Sequence, residues 1–148
     1  MIQLKLDFKN ITPLAAKLGK LKDVVATATK DPGFLKSVGQ LLVSRGKQNM
    51  EDGGSPSVSW PLLAESTRKQ KQKLGYSLKP LQREGLLKRS LNYEVSGGLY
   101  VSGLDYLKYH QSDEPRTKIP ERKIYTVEND DILDIQDFLV RRFERKIS

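Results

Sequence analysis

The only histidine of the chain, His110, stands close to Tyr106 and Tyr109 and is the one side chain suited to act as a general base near neutral pH. The sequence identifies neither a nucleophile nor a substrate pocket for it, so a hydrogen-bonded packing histidine is the favoured interpretation. The chain has no cysteine, which excludes a thiol nucleophile, a disulfide and a zinc–thiolate site. It also lacks a glycine-rich phosphate loop, paired metal-binding histidines and a nucleophile-elbow serine. We therefore predict a protein that is not an enzyme and that binds no metal and no cofactor.

A cluster of aspartates near the C-terminus is the next candidate for chemistry, and it consists of Asp130, Asp131, Asp134 and Asp137. Carboxylates can bind a hard cation, but the ligand spacing and the turn glycine of a calcium loop are missing. The favoured alternative is that these charges stabilise the positive end of a helix dipole, since basic residues follow at the other end of the same segment.

Residues 61–91 carry the greatest concentration of positive charge, with eight basic and two acidic side chains. The basic residues are Arg68, Lys69, Lys71, Lys73, Lys79, Arg83, Lys88 and Arg89. This segment could bind DNA phosphates or an acidic protein surface, or it could be a solvated helix face. Base stacking is disfavoured because Tyr76 is the only aromatic residue within the segment, although Trp60 directly precedes it.

The size of the chain, 148 residues of which 37% are hydrophobic, predicts a single domain over residues 1–148. No apolar run approaches the roughly 20 residues that a membrane-spanning helix needs, and residues 1–8 do not resemble a signal-peptide core. We therefore expect a soluble protein that is made in the cytoplasm and has no membrane partner.

Three elements are predicted in the first third of the chain. Apolar and polar residues alternate over 1–9, which indicates a half-buried strand. Thr12-Pro13 and Asp31-Pro32 each combine an N-cap with proline at the first helical position. Apolar residues recur every three or four positions after each pair, so we predict helices at about 13–29 and 32–49 that form a helical hairpin.

The middle of the chain is predicted to hold two flexible loops, at about 50–60 and 75–82, because these stretches are polar and rich in backbone breakers. A short basic helix from Arg68 to Leu74, capped by Ser66 or Thr67 and ended by Gly75, should lie between them. A second short helix is predicted within residues 83–91, despite the cost of Gly85.

The remainder of the chain predicts a small antiparallel sheet and a long terminal helix, which makes the fold class α+β. Strand-like residues flank Ser96-Gly97-Gly98, so residues 93–101 should form a hairpin. Residues 105–111 should form one or two helical turns, and alternation within 119–127 predicts an edge strand. The terminal helix should begin near residue 128, with an apolar stripe of Ile132, Ile135, Phe138 or Leu139, Phe143 and Ile147.

The order of several short motifs resembles the phage virion morphogenesis family, the tail completion proteins of Mu-like and P2-like phages. The motifs, which span about residues 50–147, are Trp60-Pro61-Leu62, the basic run, Gly85-Leu86-Leu87, the 93–101 hairpin, Tyr109-His110-Gln111, Ile119-Pro120-Glu121-Arg122 and the terminal helix. Ser112-Asp113 stands where the family has Phe-Gly, and Glu121-Arg122-Lys123-Ile124 stands where it has Ala-Arg-Pro-Phe.

The resemblance implies a structural virion protein, located in the tail or neck, that assembles as a homo-oligomeric ring such as a hexamer at the head–tail junction. Its partners would be copies of itself, tail-tube proteins and neck or connector proteins, with unspecific contact to DNA in the channel as an option. The alternative is a basic module that binds DNA phosphates without sequence specificity. We also expect the basic 61–91 segment of one copy to contact the acidic 128–137 segment of another.

Two sets of candidate residues follow from these considerations. The candidate subunit or partner contacts are Trp60, Arg68, Lys69, Lys71, Lys73, Arg83, Arg89, Asp134 and Asp137. The candidate structural motif consists of Tyr109, His110, Gln111, Pro120 and Arg122.

Overall fold

A computed structural model of the chain describes residues 2–5, 28, 30–111 and 120–147. This part of the chain is α+β, as the sequence predicts. The strands are β1 (Ile2–Lys5), β2 (Asn92–Val95) and β3 (Leu99–Gly103), and the helices are α1 (Pro32–Asp52), α2 (Glu65–Leu74), α3 (Leu86–Ser90), α4 (Leu107–Gln111) and α5 (Asn129–Ile147). The predicted helix at 13–29, and with it the helical hairpin, lies outside the described residues except for Ala28, which is helical and buried. None of the described helices is long and apolar enough to cross a membrane.

The sheet is antiparallel with the strand order β1-β3-β2. The predicted hairpin is confirmed: β2 pairs with β3 from Asn92↔Ser102 to Val95↔Leu99. Its turn contains Gly97 with φ of 63°, a conformation that glycine adopts at little steric cost. The edge of β3 opposite β2 is covered by β1, which pairs with it from Ile2↔Gly103 to Lys5↔Tyr100.

Helix α1 is the central element, because it packs on both strands of the hairpin and on α3 and α5. It begins as predicted, since the Asp31 carboxylate accepts a hydrogen bond of 3.0 Å from the backbone N–H of Phe34. One face of α1 is buried and includes Leu35, Val38 and Leu42. Gly39 lies on the same face, where a β-carbon would come within 2.5 Å of the Tyr93 ring, so helix and sheet are in close contact.

Helix α1 ends three residues later than predicted, at Asp52, and the chain then closes into a turn. The backbone N–H of Trp60 donates to the carbonyl of Gly53 at 2.8 Å, and Gly54 pairs with Ser59 in an isolated β-bridge. The proposed flexibility of residues 50–60 stays a prediction.

The segment between α2 and α3, together with α3 itself, forms ion pairs and a hydrogen bond with the end of α1. Lys79 and Lys88 both form ion pairs with Glu51, and the Gln82 side chain donates to the carbonyl of Met50 at 2.9 Å. The proposed flexibility of residues 75–82 likewise stays a prediction.

Two details of the short helices differ from the sequence-based expectation. Helix α2 begins at Glu65 and has no side-chain cap at Ala64, so the predicted cap by Ser66 or Thr67 is wrong. Gly85 is not inside a helix but directly precedes α3, with φ of 74°. The helix therefore avoids the cost of an internal glycine, which instead supplies the left-handed conformation at its start.

The predicted edge strand at 119–127 is wrong for the described residues, because residues 120–127 form no strand. The alternation fails at Ile124 and Tyr125, which are consecutive and both buried. Their backbone is satisfied by side chains instead of a neighbouring strand: Gln111 Oε1 accepts from both N–H groups at 3.0 Å, and Gln111 Nε2 donates to the Tyr125 carbonyl at 2.6 Å.

Helix α5 confirms the predicted terminal helix, but its buried face is shifted from the expected one. Ile135 and Leu139 are buried as expected, whereas Ile132 is only partly buried. Asp131, 1% exposed, lies on this face and receives hydrogen bonds of 2.8–3.1 Å from the Arg45 guanidinium of α1. This aspartate is a buried ion-pair partner in addition to an acidic residue near the start of a helix. The side chains of Phe143 and Ile147 lie outside the described residues.

Candidate functional site

A pocket of about 480 Å³ opens between α2, residues 81–87 and Arg122. Its charged lining consists of three basic residues, Lys71, Arg83 and Arg122, and the single acidic residue Glu84. The rest is largely apolar and includes Leu63, Leu81, Leu86, Leu87 and Tyr106. We refer to this site as the basic pocket. It combines residues from both predicted sets, because Lys71 and Arg83 were expected as partner contacts and Arg122 as part of a structural motif.

Arg122 is the most deeply buried charge of the pocket, with 6% of its surface exposed. Its Nε and Nη2 atoms donate to the carbonyl of Pro61 at 3.1 and 2.8 Å, and Nη2 also donates to the carbonyl of Leu62 at 3.3 Å. No carboxylate within residues 30–111 and 120–147 forms an ion pair with it. Burial lowers the pKa of this guanidinium from its usual value. A buried cation without a counter-ion is unfavourable, so the site favours the arrival of an anion.

Lys71 adds a second positive charge, and its hydrogen-bond partners among the described residues are neutral carbonyl groups. Its ammonium donates to the carbonyls of Lys79 at 2.9 Å and Gln82 at 3.1 Å. Burial lowers its pKa, and the positive charges of Arg122 and Arg83 lower it further. Both guanidinium groups thus repel the Lys71 ammonium, and a bound anion would relieve that repulsion.

Arg83 lies at the exposed side of the pocket. Its guanidinium carbon is 4.6 Å from the centre of the Tyr76 ring, which is a cation–π contact. Stacking on the ring holds the side chain while leaving much of its charge accessible, and this combination suits a binding residue.

The remaining basic candidates lie away from the pocket or are only partly available. Lys69 forms an exposed ion pair with Glu65 at 3.0 Å, and Lys73 lies about 200° around α2 from Lys71, since each helical residue turns by about 100°. Arg68 is exposed on the same helix. Arg89 lies on α3, where its guanidinium donates to the carbonyl of Glu84 at 3.0 Å.

Helix α2 itself is unusual, because none of its ten residues is buried. An isolated helix of this length is marginal in water and usually depends on a packed apolar face. The chain directly before it also exposes Leu62, of which 90% is accessible. Helix α2 and Leu62 together thus form an exposed surface that carries both basic and apolar side chains.

Trp60 is 7% exposed and belongs to the hydrophobic core. Its burial within the chain does not favour its expected role as a subunit or partner contact, and that role stays a prediction. The tryptophan directly precedes Pro61 and Leu62, whose carbonyls accept hydrogen bonds from Arg122.

The candidate structural motif is divided between the core and the surface. Gln111 makes three of the hydrogen bonds that hold residues 124 and 125, and Arg122 donates to the carbonyls of residues 61 and 62. Tyr109 is 43% exposed and contacts the Lys108 ammonium 5.0 Å from its ring centre, His110 is partly buried, and Pro120 is exposed.

Sequence reasoning missed one polar residue that supports this region. Asn49 is 1% exposed, and its Nδ2 donates to the carbonyl of Ile124 at 2.9 Å and to the hydroxyl of Thr126 at 2.8 Å. The available signal was its position on the buried face of α1, where a polar side chain needs hydrogen-bond partners.

Asp134 and Asp137 lie on the exposed face of α5 and do not line the basic pocket of their own chain. Asp137 forms a weak, exposed pair with Arg141 at 3.9 Å. Among residues 2–5, 30–111 and 120–147, no group of three or more histidine, aspartate or glutamate side chains is arranged to hold a metal ion.

Comparison of the chain with protein-family models, curated proteins and solved structures finds no match. The resemblance to the phage virion morphogenesis family thus depends on the order of motifs in the sequence.

Proposed function

We propose that the chain is a non-catalytic structural protein of a tailed-phage virion, which completes the tail or neck at the head–tail junction by assembling as a ring. The observation that carries this proposal is the contact between two of the family-like motifs. Arg122 of the Ile-Pro-x-Arg motif donates to the carbonyls of Pro61 and Leu62, which are 61 and 60 residues away in the Trp-Pro-Leu motif. The motifs thus coincide with a long-range contact of the fold, as expected for an architectural signature.

The uncovered surfaces support an assembled state. Helix α2 buries no residue, Leu62 and Leu86 are largely exposed, and the charges of 61–91 and 128–137 are opposite in sign. A ring requires two different faces on each subunit that complement each other. The other partners in this proposal are the tail-tube and the neck or connector proteins.

The proposal is tested in the phage that encodes the chain, by placing an early stop codon in the gene and examining the particles by electron microscopy. We expect filled heads and separate tails, or tails of abnormal length, and we expect a plasmid copy of the intact gene to restore joined particles. Normal numbers of joined, infectious particles without the protein would overturn the proposed function.

Contact with DNA is the second candidate function, and the exposed residues Arg68, Lys69 and Lys73 of α2 favour it. Its test is binding of the purified chain to duplex DNA at low and high salt. Phosphate contacts predict strong salt dependence and loss of binding on Lys69→Glu with Lys73→Glu. Lys71 is left unchanged because its ammonium supports the 79–82 backbone. Absence of binding at low salt would exclude this function.

A further inference from the structure

The outward face of α5 combines acidic and apolar residues in a way that a solvated helix does not need. Asp137 lies at its centre, with Asp134 and Arg141 beside it, all exposed. Leu133 and Val140 flank this face and are 58% and 50% exposed. At about 100° per residue these five positions share one side of the helix, opposite the buried Ile135 and Leu139. We call it the outer face of α5.

The basic pocket complements this outer face in each respect. The pocket holds three positive charges that have no acidic partner among the described residues, whereas the outer face carries two negative charges, Asp134 and Asp137. The pocket also has an exposed apolar residue, Leu86, and the outer face has two, Leu133 and Val140. The pocket also contains one carboxylate, Glu84, and the outer face contains one basic residue, Arg141.

We propose that the outer face of α5 of one copy docks on the basic pocket of the next copy, with an aspartate carboxylate placed between Lys71, Arg83 and Arg122. This inference rests on the proposed ring assembly and identifies the two surfaces that form the ring contact. The contact is heterologous, so each copy offers its pocket to one neighbour and its helix to the other, and repetition closes a ring.

The positive charge and partial burial of the basic pocket favour an aspartate carboxylate over water as its occupant. The carboxylate would neutralise the repulsion among the basic groups in a partly desolvated pocket, where a charge-assisted hydrogen bond is stronger than at an open surface. The exposed pair of Asp137 with Arg141 contributes little and is easily exchanged for the new partners.

Charge reversal tests the contact in the full chain, with the association state measured by analytical ultracentrifugation. Arg83→Glu and Asp137→Lys each should weaken self-association at least tenfold, because each places like charges together. The double variant that carries both changes should recover much of the association. Lys73→Glu is the matched control for Arg83→Glu, since it makes the same charge change on the far side of α2 and should leave association within about twofold.

Cysteine cross-linking provides a second measurement that does not depend on charge, and the chain has no native cysteine to interfere. A variant with Leu86→Cys and Leu133→Cys should form a ladder of disulfide-linked oligomers under mild oxidation. A control variant that combines Lys73→Cys with Leu133→Cys and keeps Leu86 should form no such ladder.

The inference is overturned if Arg83→Glu and Asp137→Lys behave like the Lys73→Glu control, or if the chain stays monomeric at millimolar concentration. Rings that persist in the reversal variants would overturn this contact and leave the proposed function standing. Normal phage particles without the protein would overturn the function regardless of the ring contact.

Discussion

The Gln111 side chain provides residues 124 and 125 with hydrogen bonds that a neighbouring strand would otherwise form. A primary amide has one oxygen that can accept two hydrogen bonds and one NH2 group that can donate two. In Gln111 the oxygen accepts from two N–H groups, and the NH2 group donates to one carbonyl of the same buried segment. Alternating hydropathy predicts an edge strand here because it registers burial, but not which group supplies the hydrogen bonds. The sequence therefore indicates that the segment is partly buried and misidentifies how it is held.

Truncation of this amide should be costly. We predict that Gln111→Ala lowers the free energy of unfolding by about 2–3 kcal/mol, because buried N–H groups lose their acceptor. Urea unfolding measures the loss, and amide hydrogen exchange should quicken at Ile124 and Tyr125. Gln48→Ala serves as the control, since the hydrogen bonds of the Gln48 side chain to described residues are exposed and go to Asp52. Equal stability of both variants would contradict the role of Gln111.

The Arg45–Asp131 pair is a second contact that local sequence patterns do not disclose. Asp131 belongs to a run of aspartates whose other members are exposed, and only the three-dimensional position of Arg45 distinguishes it. The Asp131 carboxylate also accepts the backbone N–H of Glu128 at 2.8 Å and so helps to start α5. Hydrogen bonding to Asp131 raises the pKa of Arg45, which therefore stays charged.

We predict that Asp131→Asn destabilises the fold by about 3 kcal/mol, because the partly buried Arg45 guanidinium loses the carboxylate that is hydrogen-bonded to it. Asp134→Asn, on the outer face of α5, should change the stability by less than about 0.5 kcal/mol. Thermal unfolding of the two variants gives the comparison. Similar melting temperatures would show that the buried pair is unimportant for stability.

At the level of elements, α1 and the hairpin were predictable, because capping residues and turn glycines are local signals. The close packing of α1 on the hairpin was not predictable, since the sequence does not show that Gly39 faces Tyr93.

We predict that Gly39→Ala lowers the free energy of unfolding by about 2 kcal/mol despite the better helix propensity of alanine, because the new methyl group would overlap the Tyr93 ring. Gly46→Ala is the matched control, since its β-carbon would come no closer than 3.3 Å to Leu91. A larger loss for Gly46→Ala than for Gly39→Ala would contradict the close helix–sheet contact.

The attachment of α3 and the preceding segment to α1 should depend on pH. Hydrogen bonds from Lys79 and then Lys88 lower the pKa of Glu51 from 4.5 to about 2. A lowered pKa in the folded state means that the stabilisation is fully present above pH 4.5 and is lost as the pH falls towards 2.

We therefore predict that Glu51→Gln is less stable than the wild type at pH 7 and that this difference shrinks as the pH decreases below 4.5. Urea unfolding at pH values between 7 and 3 measures it. Glu65→Gln, which removes an exposed pair with Lys69, should have little effect at any pH. A difference for Glu51→Gln that grows on acidification would be inconsistent with the ion pairs.

On the scale of the whole molecule, the unequal distribution of charge has a consequence for assembly. Residues 61–91 are strongly basic and residues 128–137 are acidic, so self-association should weaken as salt rises and screens the attraction. We predict about a tenfold increase in the dissociation constant of self-association between 50 and 500 mM salt, measured by analytical ultracentrifugation. Association that strengthens with salt would indicate a contact dominated by apolar burial instead.

The attachment of Arg122 to main-chain oxygen atoms affects how sequences of this kind can diverge. Every amino acid carries a backbone carbonyl, so positions 61 and 62 can change their side chains without removing the acceptors that Arg122 uses. Substitutions at those positions therefore require no compensating change at position 122. In an alignment of relatives, this contact would leave an invariant arginine with no co-varying partner, and methods that infer contacts from correlated substitutions would not detect it.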